Sequence, residues 1–195
     1  MNKGSKFWLT VLVIGSITYL GAIDIRFIIG NELLSFDEFN FKSFLLPVEL
    51  SLIFKLISYS SLVIIISYLI VFISAIFFLI NYRINYRENV WLLISAILFF
   101  VFSPVEFYSS YLDFKFYLMY LKDPYEYEQK LLVFGERIGL LKGVPWIALL
   151  CYYSIIVIAI FKPLKKTKEE LDKADYENKD YAYKYIMHED DDIIN

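Results

Sequence analysis

The sequence is poor in the residues that build most sites of chemistry. There is one cysteine, Cys151, so no disulfide can form within the chain. There is one histidine, His188, and it lies in a charged C-terminal stretch. A haem or zinc site built on histidines inside an apolar domain is thereby excluded. Glycines number seven, with no Gly-rich phosphate loop and no nucleophile-elbow serine. Net charge is only −3, which names no polyanionic partner. Charge is also missing locally, from four long stretches, and this absence carries the most information.

The chain has 195 residues, 58% of them apolar and 19% aromatic, against roughly 45–50% apolar in a soluble domain. The excess falls in four blocks separated by charged segments. A helix rising 1.5 Å per residue needs about 20 apolar residues to cross roughly 30 Å of hydrocarbon. The blocks place spans at about 7–29, 57–80, 90–112 and 144–161. The expected fold is an all-α membrane domain over residues 1–161, with two partly helical outer loops, 31–56 and 113–143, and a charged cytoplasmic tail, 162–195. Lys3 and Lys6 before Phe7–Ala22 also fit a signal peptide. The small-x-small cleavage site is missing, and Asp24-Ile25-Arg26 follows, so the segment reads as a retained span.

Lys and Arg set the expected orientation. Lys3 and Lys6, Arg83 and Arg87, and Lys162, Lys165, Lys166 and Lys168 share one side in a four-span topology. Both termini are therefore expected in the cytoplasm, in a bacterial inner membrane. The outer loops are too apolar for simple linkers. Residues 125–141 read as an amphipathic helix with Leu131, Leu132, Phe134, Ile138 and Leu141 on or near one face. Packing into a small outer cap explains these aromatics and aliphatics, as does a surface that meets lipid or a partner. In the tail, Thr167-Lys168-Glu169-Glu170 resembles a helix start. The basic run before it can sit against anionic headgroups. Glu189, Asp190, Asp191 and Asp192 form a solvated end that can also dock a basic cytoplasmic protein.

Three charges stand near the outer edge of the spans. Asp24 and Glu106 lie at similar depth on helices running the same way, with Arg26 one step further out. An Arg26–Glu106 pair is geometrically available, and Pro104 removes a helix hydrogen bond just before the acid. The cluster reads as a structural pair, as groups snorkelling to water, or as an ion or proton path. Depth disfavours the path, because no charge occurs near the middle of any span. Ser60, Ser67 and Ser74 recur every seven residues along span two. Thr18 and Ala22 make a small-xxx-small pair in span one, near Gly15 and Gly21. The serines are either polarity tolerated inside the bundle or a homo-oligomeric seam.

No cofactor is implied, and an enzyme is the least favoured class. The leading expectation is a sensor or scaffold subunit, with an ion-conducting subunit as the rival. The layout of four spans ending at Lys162, two sizeable outer loops and a charged tail from Lys165 to Asn195 resembles the Kiwa anti-phage membrane component family, KwaA. That resemblance implies homo-oligomers in the inner membrane that sense phage attack and bind a soluble cytoplasmic effector, KwaB. Contact with nucleic acid would then fall to the effector and not to this chain.

Overall fold

The computed structural model describes residues 3–35, 40–42, 45–82, 85–123, 126–139, 144–177 and 179. In chain order the elements are α1 (Lys3–Asn31), β1 (Leu34–Ser35), β2 (Asn40–Phe41), α2 (Pro47–Asn81), α3 (Val90–Lys122), α4 (Tyr127–Gly139) and α5 (Val144–Phe161). A further helix, α6, covers 168–177. The two short strands pair antiparallel, with Leu34 opposite Phe41 and Ser35 opposite Asn40.

Helices α1, α2, α3 and α5 are each long and apolar enough to cross a membrane, and the chain is a multi-pass membrane protein. Two of them outrun the apolar blocks. α2 starts at Pro47 and not at Ile57, and α3 ends at Lys122 and not near Leu112. The 35 residues of α2 make a rod of about 52 Å, well beyond the roughly 30 Å of hydrocarbon. Pro47 supplies a preset first-turn φ, and the Glu49 carboxylate accepts the Leu46 N–H at 2.9 Å. Helix α3 continues through Pro104.

The chain divides into two compact units. The first comprises residues 1–83 and 102–150. Its membrane part is an α1–α2 pair that packs through small residues. A Cβ on Gly15 would lie 3.0 Å from a Val71 methyl, so the helices approach where only glycine fits without adjustment. Gly21 has nothing comparably near. Tyr19 lies against Tyr68 at 5.2 Å between ring centroids, and Tyr68 meets Phe107 of α3 at 5.5 Å.

Beyond the exposed charges Asp24, Lys55 and Lys115, α4 folds onto the extensions of α1, α2 and α3 and forms a cap. Leu33, Phe54, Ile57, Phe116, Val133 and Phe134 make its buried core. Outside the hydrocarbon, water drives such burial, at roughly 1.5–3 kcal/mol per large side chain. The buried face of α4 is Lys130, Val133 and Phe134. This corrects the expected face: Leu132 and Ile138 point outward, Leu132 with 73% of its surface exposed. A face set by apolar content alone misses Lys130, whose stem packs inside while its ammonium closes a helix end.

The second unit comprises residues 84–101 and 151–195. Helix α5 stops at Lys162, which is left-handed (φ 46°) and precedes Pro163; Leu164 is left-handed too (φ 58°). Such a backbone costs a non-glycine residue roughly 1–2 kcal/mol. The two turns lead the chain past residues 85–89, where Lys165 bridges to Asn89 and the Lys166 N–H donates to the Glu88 carbonyl at 3.1 Å.

Candidate functional site: a buried charge cluster beneath the cap

Arg26 projects from the last turns of α1 with 7% of its surface exposed. One of its guanidinium nitrogens lies 2.6 Å from Asp113 Oδ2. The same nitrogen donates to Ser61 Oγ of α2 at 3.1 Å. The second Asp113 oxygen faces Arg137 Nε of α4 at 3.3 Å. One buried carboxylate of α3 therefore joins α1 to α4, and Arg26 also reaches a serine of α2. Glu106 is also buried, near the Tyr19 side chain of α1. The Tyr108 hydroxyl reaches Glu136 Oε1 of α4 at 3.4 Å on the exposed side.

The local sequence explains this convergence. Glu106, Ser109, Asp113 and Phe116 follow one another at helical intervals of three and four, so they share a face of α3. All four are buried. Lys130, Val133, Phe134 and Arg137 repeat the pattern on α4. Gly30 lets α1 approach the α4 face, since a Cβ there would lie 2.9 Å from the Phe134 ring.

The structure thus corrects the expected pairing. The acid held by Arg26 is Asp113, about two helical turns beyond Glu106. Asp24 is exposed and faces another side of α1, because two residues of helix turn it about 200° away from Arg26. Asp113 and Arg137 escape a reading of single helices, since their pairing depends on α4 folding back. The visible signal is Asp113 recurring seven residues after Glu106 on one face.

Chemically the cluster is closed. Each Asp113 oxygen faces a guanidinium group, Arg26 on one side and Arg137 on the other. Removing one partner of such a buried pair typically costs 3–5 kcal/mol, because the other charge is left uncompensated. Among the described residues no group of three or more His, Cys, Asp or Glu is placed to hold a metal ion.

Lys130 serves the cap differently. It is 1% exposed, and its ammonium donates to the Asp123 and Glu126 carbonyls. The Asp123 carbonyl stands at the C-terminal end of α3, where helix carbonyls lack partners, and the Glu126 carbonyl just before α4. Burial pushes its pKa below the usual lysine value, against the pull of nearby Asp123 and Glu126.

The serines also have definite places. Ser67 and Ser74 are buried within a single chain, and Ser60 is half-buried. Their hydroxyls donate to carbonyls of their own helix: Ser60 to Ile57, Ser67 to Val63 and Ser74 to Val71. Satisfied in this way, they present little more than a methylene to a neighbour. Ser67 and Ser74 thus lie inside the single chain.

In the second unit, Lys162 Nζ sits 5.9 Å from the centre of the Trp91 ring. Arg87 reaches Asp175 of α6 at 3.6 Å. The Thr167 N–H donates to Glu170 at 2.7 Å, and the Glu170 N–H donates back to the Thr167 hydroxyl at 3.3 Å. This reciprocal cap holds the Glu170 carboxyl below its ordinary pKa. The acids Glu189, Asp190, Asp191 and Asp192 lie outside the described residues. Comparison of the chain with protein-family models, with curated proteins and with solved structures finds no match.

Proposed function

We propose that this chain is a non-enzymatic membrane subunit, a sensor or scaffold that couples the bilayer to a soluble cytoplasmic effector through its tail. The observation that carries the reading is the attachment of the tail to span ends. Lys165 and Lys166 bond to the backbone of residues 88–89, immediately before α3, and Arg87 pairs with Asp175. A shift at the start of α3 or the end of α5 therefore changes the base from which the tail projects. The Lys and Arg bias supports an inner-membrane location with both termini cytoplasmic. The Kiwa-like layout supports a homo-oligomer acting in anti-phage defence with a KwaB-like effector.

The test is a pull-down from lysate with the full chain and with residues 173–195 deleted, alongside ion flux in liposomes. The deletion leaves every span and the Thr167–Glu170 cap intact. It removes Asp175, Glu177, Asp180 and the acids at 189–192. Partner capture should be lost with the deletion and weaken as salt rises, since exposed charges are screened within about 8 Å at physiological ionic strength. Unchanged partners without the tail, or robust flux from either form, would instead favour an ion-conducting subunit.

A further inference from the structure

We propose that the exit of α5 is a binding site for the phosphate headgroup of an anionic phospholipid, built from Lys165, Lys166 and Lys168 with Phe161 and Leu164 against the acyl chains. This site is independent of the sensor reading.

The argument begins with depth. Helix α5 has 18 residues and is about 27 Å long, close to the hydrocarbon thickness. The residues just past Phe161 therefore stand at headgroup level. There the chain does not run straight on. Two left-handed residues, Lys162 and Leu164, turn it, and the Asn89–Lys165 bridge and the Lys166–Glu88 bond hold the turn. The backbone of the basic run is thus fixed while its side chains are exposed.

The second observation is the mixture of surfaces. Phe161 is 77% exposed and Leu164 63% exposed, and both alternate with lysines. A large apolar side chain beside cations is ill suited to water and to a purely acidic protein surface. It suits the boundary where acyl chain gives way to phosphate.

The third is charge balance. Three acids close to the run have partners of their own: Glu88 accepts from Asn85 at 2.8 Å, Asp175 meets Arg87, and Glu170 accepts from Thr167; Glu169 and Asp172 follow on α6. Lys162 leans over Trp91. Among the described residues, Lys165, Lys166 and Lys168 make no ion pair within 4 Å. Lys166 feels Glu170 only through space. Each cation near an anionic surface strengthens binding about fivefold, and three together exceed what a zwitterionic headgroup would repay.

The experiment uses the full chain in detergent, with phosphatidylglycerol, phosphatidylcholine or inorganic phosphate added, and reads lipid retention by native mass spectrometry together with Tm. The native chain should retain phosphatidylglycerol at least fivefold better than phosphatidylcholine, and gain Tm only with the former. The variant K165Q/K166Q/K168Q should lose that preference. Leu164→Asn keeps a residue that tolerates the left-handed backbone but removes the apolar group, so it should fold as well or better and still retain less phosphatidylglycerol. An equal preference in the lysine variant, full retention in Leu164→Asn, or equal protection by inorganic phosphate would overturn the lipid site.

Discussion

Arg26 of α1 and Asp113 of α3 meet at 2.6 Å with both side chains almost wholly withdrawn from solvent. That contact ties the first helix of the chain to the third where both leave the apolar zone. Arg26→Ala should lower stability by about 3–5 kcal/mol, because Asp113 then loses its better-buried partner. The double variant Arg26→Ala/Asp113→Ala should lose less than Arg26→Ala and Asp113→Ala summed, the remaining loss reflecting Arg137 left without its carboxylate. Thermal melting in detergent checks all three. Additive losses in the double variant would mean that the pair is not coupled.

Gly30 and Phe134 make the apolar counterpart of that tie. Gly30→Leu should destabilise the cap by about 1–3 kcal/mol, since the new side chain enters the space of the Phe134 ring. Phe134→Ala in the same chain should return part of the loss. Limited proteolysis near residue 124 follows the release of α4; equal cleavage in native and Gly30→Leu chains would contradict this packing.

Ser67→Trp probes the α1–α2 pair. Ser67 is 3% exposed within one chain, so a tryptophan there should push the two helices apart and cost about 1–3 kcal/mol or more. The loss should be the same whatever the oligomer size in detergent. A native melting curve would place Ser67 on a lipid-facing surface instead.

How far the sequence discloses this arrangement depends on which solvent dictates the pattern. Spans are legible because hydrocarbon demands long uncharged helices, and α5 matches its apolar block from Val144 to Phe161. The extensions of α2 and α3 are not, because Glu49, Lys55, Asp113 and Lys115 look like loop charges to a rule based on apolar content. Helix continues through them since backbone hydrogen bonds and caps such as Pro47 with Glu49 do not require apolarity. Arg26 and Glu106 stand out as charges at a membrane edge. Asp113, Lys130 and Arg137 do not, since their burial arises only when α4 returns to the bundle. The serine stripe is visible, but spacing alone does not tell whether its neighbour is α1 or another chain.

Lys130 gives the cap a pH dependence of known sign. Its proton is held less tightly in the folded protein than in the unfolded chain. Between the lowered folded value and the ordinary 10.5, the unfolded chain binds more protons, so this group's contribution to stability rises with pH across that window. A neutral amine still has two N–H donors for the Asp123 and Glu126 carbonyls. The difference in Tm between the native chain and Lys130→Met should therefore grow in favour of the native chain as pH rises from neutral toward 10. A difference independent of pH would mean that the ammonium is not desolvated.

Four crossings with both termini cytoplasmic, as proposed from the Lys and Arg bias, would put α4 outside and α6 inside. In a Cys151→Ser background, Gln129→Cys marks an exposed position on α4 and Tyr176→Cys one on α6, where the tyrosine is 75% exposed. A membrane-impermeant maleimide applied to intact spheroplasts should label Gln129→Cys at once and Tyr176→Cys only after the membrane is opened. Labelling of both before opening, or of neither, would contradict the four-span topology; labelling of Tyr176→Cys alone would reverse its orientation and place the proposed effector contact on the wrong side.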